Sequence, residues 1–166
     1  MSERGPIRRL ASAAGRLVRP ARRRGAPPER GTVATPAGPT IDGVAISYEP
    51  MQDGDPDPGE VVWAWVPYED DPNQGKDRPV LILGRDGDRL AGVPLSSKDP
   101  RRRHDAGTRV PVGTGGWDRE RRPSWADADR LLRFAPNEIR REGSSIPRDR
   151  FDEVVARVRQ LHPEVQ

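Results

Sequence analysis

Cysteine is absent from this 166-residue chain, and histidine occurs only twice. The first absence excludes a disulfide framework, a cysteine zinc site and thiol catalysis. His104 and His162 stand far apart in sequence, and no Ser/His/Asp set is indicated. Apolar residues make up 33% and aromatic residues 5%, alongside 19 Pro and 17 Gly, so the whole chain is not expected to enter one core. No apolar run approaches the roughly 20 residues that span a bilayer. The N-terminus is rich in arginine but has no apolar stretch of signal-peptide length, which argues against secretion. The expectation is a cytoplasmic protein with no membrane association. No Walker motif and no dinucleotide fingerprint is present. Asp53, Asp55 and Asp57 have an alternating spacing reminiscent of a calcium loop, but Pro56, Pro58 and the lack of a well-placed Glu argue against one. Neither a metal nor a cofactor is expected.

Lysine is scarce too: arginine outnumbers it 27 to 2. The positive charge is concentrated in the first 30 residues, where nine Arg face Glu3 and Glu29. Residues 31–166 carry 18 Arg and two Lys against 24 acidic residues, a balance of −4. The basic pI therefore belongs to the N-terminal segment. Such a segment attracts polyanions, although an Arg-, Ala-, Gly- and Pro-rich composition equally describes a solvated stretch without a dedicated role. Residues 1–45 read as a disordered basic tail and linker. Ile7, Leu10 and Leu17 recur at helical intervals within that tail, over a stretch too short to persist alone as a helix. Residues 46–166 read as the folded domain.

The domain reads as short strands separated by turn signals. Val61, Trp63 and Trp65 alternate with Val62, Ala64 and Val66 from Gly59 onward; the two tryptophans share a face and suit a core or a dimer interface. A polar loop follows, and then Arg78, Pro79 and the all-apolar run Val80–Leu83, which reads as a buried strand. Asp86-Gly87 signals a hairpin. Leu90–Ser97 is a third strand and Thr108–Gly113 a fourth, placed at an edge by Pro111. Ala128–Phe134 reads as a fifth strand or a strand-like turn, and Asn137–Ile146 as a turn or strand. Phe151, Val154, Val155, Val158 and Leu161 form an apolar stripe on a last helix that begins near Pro147. The class expected is mainly β: a small SH3-like barrel of about five to seven strands with a C-terminal α-helix packed on it.

Four pieces of this pattern, in order, resemble the MazF/PemK family of toxin ribonucleases. They are the strand GEVVWAW, the loop and strand QGKDRPVLIL, the strand VPLSS, and SWADADRLLRF followed by the helix. The resemblance covers roughly Pro58 to Leu161 and implies a PemK-like barrel. It implies a metal-independent endoribonuclease that cleaves single-stranded RNA such as mRNA, works as a homodimer and is inhibited by an acidic antitoxin protein. It places Arg78 on the family's catalytic arginine and Ser96, with Ser97 close by, on its catalytic Thr or Ser. Because plasmid gyrase poisons share the barrel without ribonuclease activity, a non-catalytic module that binds protein or nucleic acid is the alternative.

The chemistry of the residues agrees. RNA cleavage by the 2′-OH needs a proton carrier and a stabiliser for the charge that grows on the phosphoryl oxygens. Arginine offers a permanent cation with a planar fork matched to phosphate, though its high pKa makes it a poor proton acceptor. The competing role for Arg78 is a salt bridge to Asp77 or Asp71, and for Ser96 a hydroxyl capping a turn. Further RNA-binding candidates are Arg101, Arg102 and Arg103, the densest basic run in the domain. Trp117 is a candidate for base stacking or a lid over one end of the barrel. Asn73 and Gln74 carry amides able to read bases, as ordinary turn residues also do.

Overall fold

The computed structural model describes residues 39–51, 53–102 and 104–163. Residues 1–38, including the expected short helix and most of the basic tail, lie outside the described residues, as does Arg103. Nine strands form a curled antiparallel half-barrel: β1 Thr40–Ile41, β2 Val44–Ile46, β3 Glu60–Pro67, β4 Gly75–Asp86, β5 Arg89–Ser96, β6 Arg109–Gly113, β7 Ser124–Asp127, β8 Leu132–Phe134 and β9 Ile139–Ser145. One helix, α1, spans Arg148–Leu161. Among the described residues no helix is long and apolar enough to cross a membrane.

The 12-residue β4 organises the sheet. One edge pairs with β3 over Gly75–Leu81 and with β2 at Gly84 and Arg85; the other pairs with β5 from Val80 to Asp86. β5 in turn pairs with β8 at its start and with β7 at Leu95 and Ser96, and β6 follows β7 at the end of the sheet. The position of Pro111 on a terminal strand matches its missing N–H. Because alternate residues face opposite ways, β4 contributes to two cores. Val61, Leu81, Leu83, Val93 and the helix residues Phe151, Val154, Val155 and Val158 share the larger one. Val62, Ala64, Val66, Val80, Ile82, Leu90 and Phe134 form the smaller. Each fully buried Val, Leu or Ile contributes about 1.5–3 kcal/mol relative to exposure.

Three features depart from the sequence reading. First, the expected domain boundary at residue 46 falls inside the β1–β2 hairpin: Ile41 and Val44 are fully buried in the larger core. The turn between them, Asp42-Gly43, has positive φ at both residues, 49° and 77°, the geometry that matches the twist of a hairpin. A Pro- and Gly-rich approach masked this hairpin. Second, nine short strands replace the five to seven expected, because Ser124–Asp127 and Leu132–Phe134 are separate strands and Ile139–Ser145 is a strand against β3. Third, β4 starts at Gly75, so Arg78 lies within a strand, opposite Ala64, rather than at the end of a loop. The tryptophans of β3 also avoid the core: Trp65 is exposed and Trp63 half-buried.

Tyr48, just after β2, ties the start of the fold to its end. Its hydroxyl donates to the carbonyl of Ile146 at 2.8 Å, and its ring meets Phe151 edge-on at 5.1 Å. Arg148 lies over the same ring at 5.1 Å. Gly59, at φ 100°, makes room for it: a Cβ there would stand 2.8 Å from the Tyr48 ring.

Ile41→Ala is expected to destabilise the protein by about 2–5 kcal/mol, the cost of truncating a buried aliphatic side chain. Urea unfolding measures this, and a midpoint unchanged from wild type would return residues 40–45 to the tail.

Candidate active site

Two prolines shape the site. The β4–β5 ladder runs from Asp86–Arg89 up to Val80–Pro94 and stops there. Neither Pro79 nor Pro94 has an N–H to extend it. Beyond Pro94, β5 turns to pair Leu95 and Ser96 with β7, while β4 continues beside β3. The strands diverge, and a cleft of about 620 Å³ opens at the split. Continuing the register of the last ladder pairs sets Arg78 against Ser96. Both line the cleft, with Ser97 beside them. The two residues that the resemblance singled out therefore line one cleft.

Arg78 is the unusual charge. Among the described residues its guanidinium has no ion-pair partner, and its Nε is buried without an acceptor. Burial, and then the charges of Arg130 and Arg109, lower its pKa from the ordinary arginine value. The acidic residues that were its expected partners are engaged elsewhere. Asp77 pairs with Arg140 at 2.6 Å. Asp71 accepts from the Asn73 backbone at 3.0 Å and the Gln74 amide at 2.8 Å, and Glu69 meets Arg130 at 3.3 Å. A desolvated, unpaired cation is costly to keep, and an anionic ligand would relieve that cost.

Ser96 plays the capping role weighed for it, and that role leaves its hydroxyl proton uncommitted. Its Oγ accepts from the Lys98 N–H at 3.2 Å, capping the turn after β5. That bond uses an oxygen lone pair and leaves the hydroxyl proton free to donate into the cleft.

The rest of the cleft is cationic. Lys76, Lys98, Arg119, Arg122 and Arg140 join Arg78 on its walls, against Asp77, Asp118 and Glu120. Arg122 is committed to Asp118 at 2.8 Å. The charge of Arg78, then burial and Lys98, lower the pKa of Lys76, a measure of the positive field. Trp63, Pro79, Leu95 and Trp117 supply apolar wall.

The other sequence candidates fall outside this arrangement or play another part in it. Trp117 lines the cleft but is 4% exposed, with its Nε1 donating to Ser124 Oγ at 3.2 Å. Gly115 packs directly on its ring, so it is wall rather than a stacking platform. Asn73 and Gln74 sit on the exposed β3–β4 turn, with the Gln74 side chain tied to Asp71, and neither lines the cleft. Arg101 is held by Asp99 through three hydrogen bonds between 2.6 and 3.1 Å, which lower the Asp99 pKa to about 2. Arg101 and Arg102 are exposed, and the cleft lining does not include them. Asp57, from the calcium-like spacing, pairs with Arg85 at 2.9 Å. Among the described residues no group of three acidic or histidine side chains is placed to hold a metal ion.

Sequence reasoning missed Lys76, Lys98, Arg119 and Arg140 in the cleft. It also missed a second cavity, of about 590 Å³, that shares Arg78 and is bordered by Arg109, Asp127 and Arg130. Asp127 is buried, and that burial raises its pKa against the lowering effect of Arg109, 3.2 Å away. Lys76 and Lys98, the chain's only lysines, flank the catalytic candidates closely in sequence and were the one available signal.

Comparison with known proteins bears on the family and the fold. No curated protein shows a significant sequence match. Among solved structures, a MazF from Deinococcus radiodurans is similar in fold, with a TM-score of 0.52 at 21% identity, over 66% of this chain and 97% of that one. The Mycobacterium tuberculosis toxin MazF-mt6 matches with a TM-score of 0.48 at 18% identity, over 64% and 99%. A mycobacterial endoribonuclease solved with its cognate antitoxin matches with a TM-score of 0.48 at 14% identity, over 64% and 93%. The family model for the PemK-like, MazF-like toxin of type II toxin–antitoxin systems matches residues 57–162, which include the whole Arg78–Ser96 cleft. The chain belongs to the PemK-like, MazF-like family of type II toxins.

Proposed function

We propose that this toxin is a metal-independent endoribonuclease that cleaves single-stranded RNA at the Arg78–Ser96 cleft. The observation that carries this reading is the half-buried guanidinium of Arg78, without an ion-pair partner among the described residues and with its Nε enclosed, set against the hydroxyl of Ser96 in a cationic cleft. The RNA backbone enters along the walls bearing Lys76, Lys98 and Arg119, which attract phosphate without regard to sequence. The ribose 2′-oxygen attacks the adjacent phosphorus and the bond to the 5′-oxygen breaks, leaving a 2′,3′-cyclic phosphate. Negative charge grows on the non-bridging oxygens, where the Arg78 fork and the Ser96 O–H donate hydrogen bonds. The lowered pKa of Arg78 also makes it a stronger acid than a solvated guanidinium, suited to giving a proton to the departing 5′-oxygen. Solvent then restores that proton, having accepted the one from the 2′-OH.

The same positive cleft suits an acidic antitoxin segment laid across it, which would inhibit by occupying the place of RNA. A homodimer fits the sheet, whose terminal strands have no further strand partner among the described residues. Exposed Trp65, on β3, is available to such an interface. Sedimentation at micromolar concentration is expected to show a dimer, and a monomer alone would count against it.

RNA cleavage is expected to persist in EDTA. Arg78→Ala is expected to lower the rate by roughly 100-fold or more, as when one preorganised stabiliser is lost. Arg78→Lys will not fully restore it, because an ammonium lacks the planar fork. Ser96→Ala should cost less, about 1.5–3 kcal/mol for a hydrogen bond to a charged group. Cleavage of a labelled RNA and a urea melt of each variant check these outcomes. Arg78→Ala that unfolds the protein while sparing specific activity would make Arg78 a structural residue. A wild-type protein that cleaves no RNA would be a binding module instead.

A further inference from the structure

Arg78 separates two spaces of opposite character. The cleft has six cationic residues and three carboxylates on its walls; the second cavity has three guanidiniums and five carboxylates. A phosphate that enters the first is repelled from the second. Yet the second cavity is large enough for a nucleobase, and it begins at the residue assigned to the phosphate. A nucleotide bound through its phosphate to Arg78 can therefore extend its base into it.

The walls of this cavity offer contacts that a base uses and a phosphate does not. Tyr68, at its rim, is an exposed aromatic ring, the type of surface on which unpaired RNA bases stack. Arg109 is fixed between Asp105 at 2.9 Å and Asp127 at 3.2 Å. Arg130 is held by the carbonyl of Pro67 at 2.8 Å. Three polar atoms in the walls, Asp105 Oδ1, Arg109 Nε and Arg78 Nε, are buried with no hydrogen-bond partner among the described residues, an uncommon state for buried groups. The lining thus sets carboxylates and guanidiniums side by side, with Arg109 and Arg130 held in place by their ion pairs and hydrogen bonds. Guanine is the base that presents two adjacent donors, N1–H and the N2 amino group, next to the acceptors O6 and N7. Carboxylates accept from the former, and guanidiniums donate to the latter.

We propose that the cavity lined by Tyr68, Asp105, Arg109, Asp127 and Arg130 is a nucleobase pocket that selects guanine beside the scissile phosphate. The inference takes its substrate class from the ribonuclease reading above and adds a sequence preference to it.

The test measures binding to the full chain by calorimetry, using guanosine, inosine and adenosine 3′-monophosphates. Inosine differs from guanosine only in lacking the N2 amino group. Guanosine monophosphate is expected to bind about tenfold more tightly than inosine monophosphate, the effect of losing one well-placed base contact, and by at least that much over adenosine monophosphate, which lacks N1–H and O6 as well. Asp127→Asn is expected to erase that preference, while Arg109 keeps Asp105; Arg78→Ala should weaken all three nucleotides alike. Should Asp127→Asn fail to fold, the guanosine–inosine comparison on the unaltered protein decides by itself. Cleavage of RNAs with guanosine or inosine on either side of the scissile bond separates the two claims. RNA cut equally well with either base, together with equal nucleotide affinities, overturns the pocket and leaves the ribonuclease reading intact. A guanosine preference in binding without any cleavage supports the pocket and sinks the ribonuclease reading. Occupancy of the cavity by an arginine-rich peptide, with no nucleotide preference, would also overturn it.

Discussion

Strands β4 and β5 are partners for most of β5 and then part company, and the site exists because of that parting. A continuous ladder through residues 78 and 96 would close the gap and pack both side chains against a neighbouring strand. Two imino acids at the branching point remove the donors that such a ladder needs. β5 is thereby free to serve two sheets at once, and β4, held by β3 on its other edge, keeps its direction. The result is a cleft whose two walls are both backbone-paired elsewhere. Its candidate groups, Arg78 and Ser96, sit on strands rather than on loops, which limits their motion and would suit them to electrostatic stabilisation without reorganisation.

The charge pattern follows from the same geometry. Arg78 projects from β4 where β5 has left it, and across the remaining ladder it faces Ala64 of β3, so no carboxylate stands opposite it. The neighbouring acids of the β3–β4 loop are consumed locally: Asp71 shapes its own turn, Glu69 meets Arg130, and Asp77 meets Arg140. An acidic loop beside an arginine proposed to bind phosphate looks contradictory in the linear chain. In the folded protein the loop's carboxylates neutralise other arginines and leave that one unpaired.

Much of the fold was legible because its signals are local. Alternation in β3, the apolar run in β4, the Asp86-Gly87 turn and the stripe of α1 each specify an element within a few residues. The β1–β2 hairpin was not, since two residues of strand at Thr40–Ile41 are too short for any periodicity. Nor were the separate strands β7 and β8, where Asp127 interrupts the apolar pattern because it is buried against Arg109. For the candidate site, Arg78, Ser96 and Ser97 were singled out by their order along the chain, and all three line the cleft. The cationic walls were not: with 27 arginines, composition cannot say which of them converge, and Arg119 and Arg140 reach the cleft from loops and strands 40 or more residues away in sequence from Arg78. The basic run at Arg101 and Arg102 misled for the same reason, density in sequence being no measure of position in space.

Tyr48 has a consequence for how the molecule comes apart. This one side chain, just after β2, reaches the carbonyl just past β9 with its hydroxyl and the first turn of the helix with its ring. The helix thus cannot lift from the sheet without also freeing the segment that leads out of the first hairpin. The two ends of the folded chain, about 100 residues apart in sequence, behave as a single latch. Local fraying at one end is coupled to the other, so hydrogen exchange in the helix and in the opening hairpin should report one shared opening rather than two independent ones.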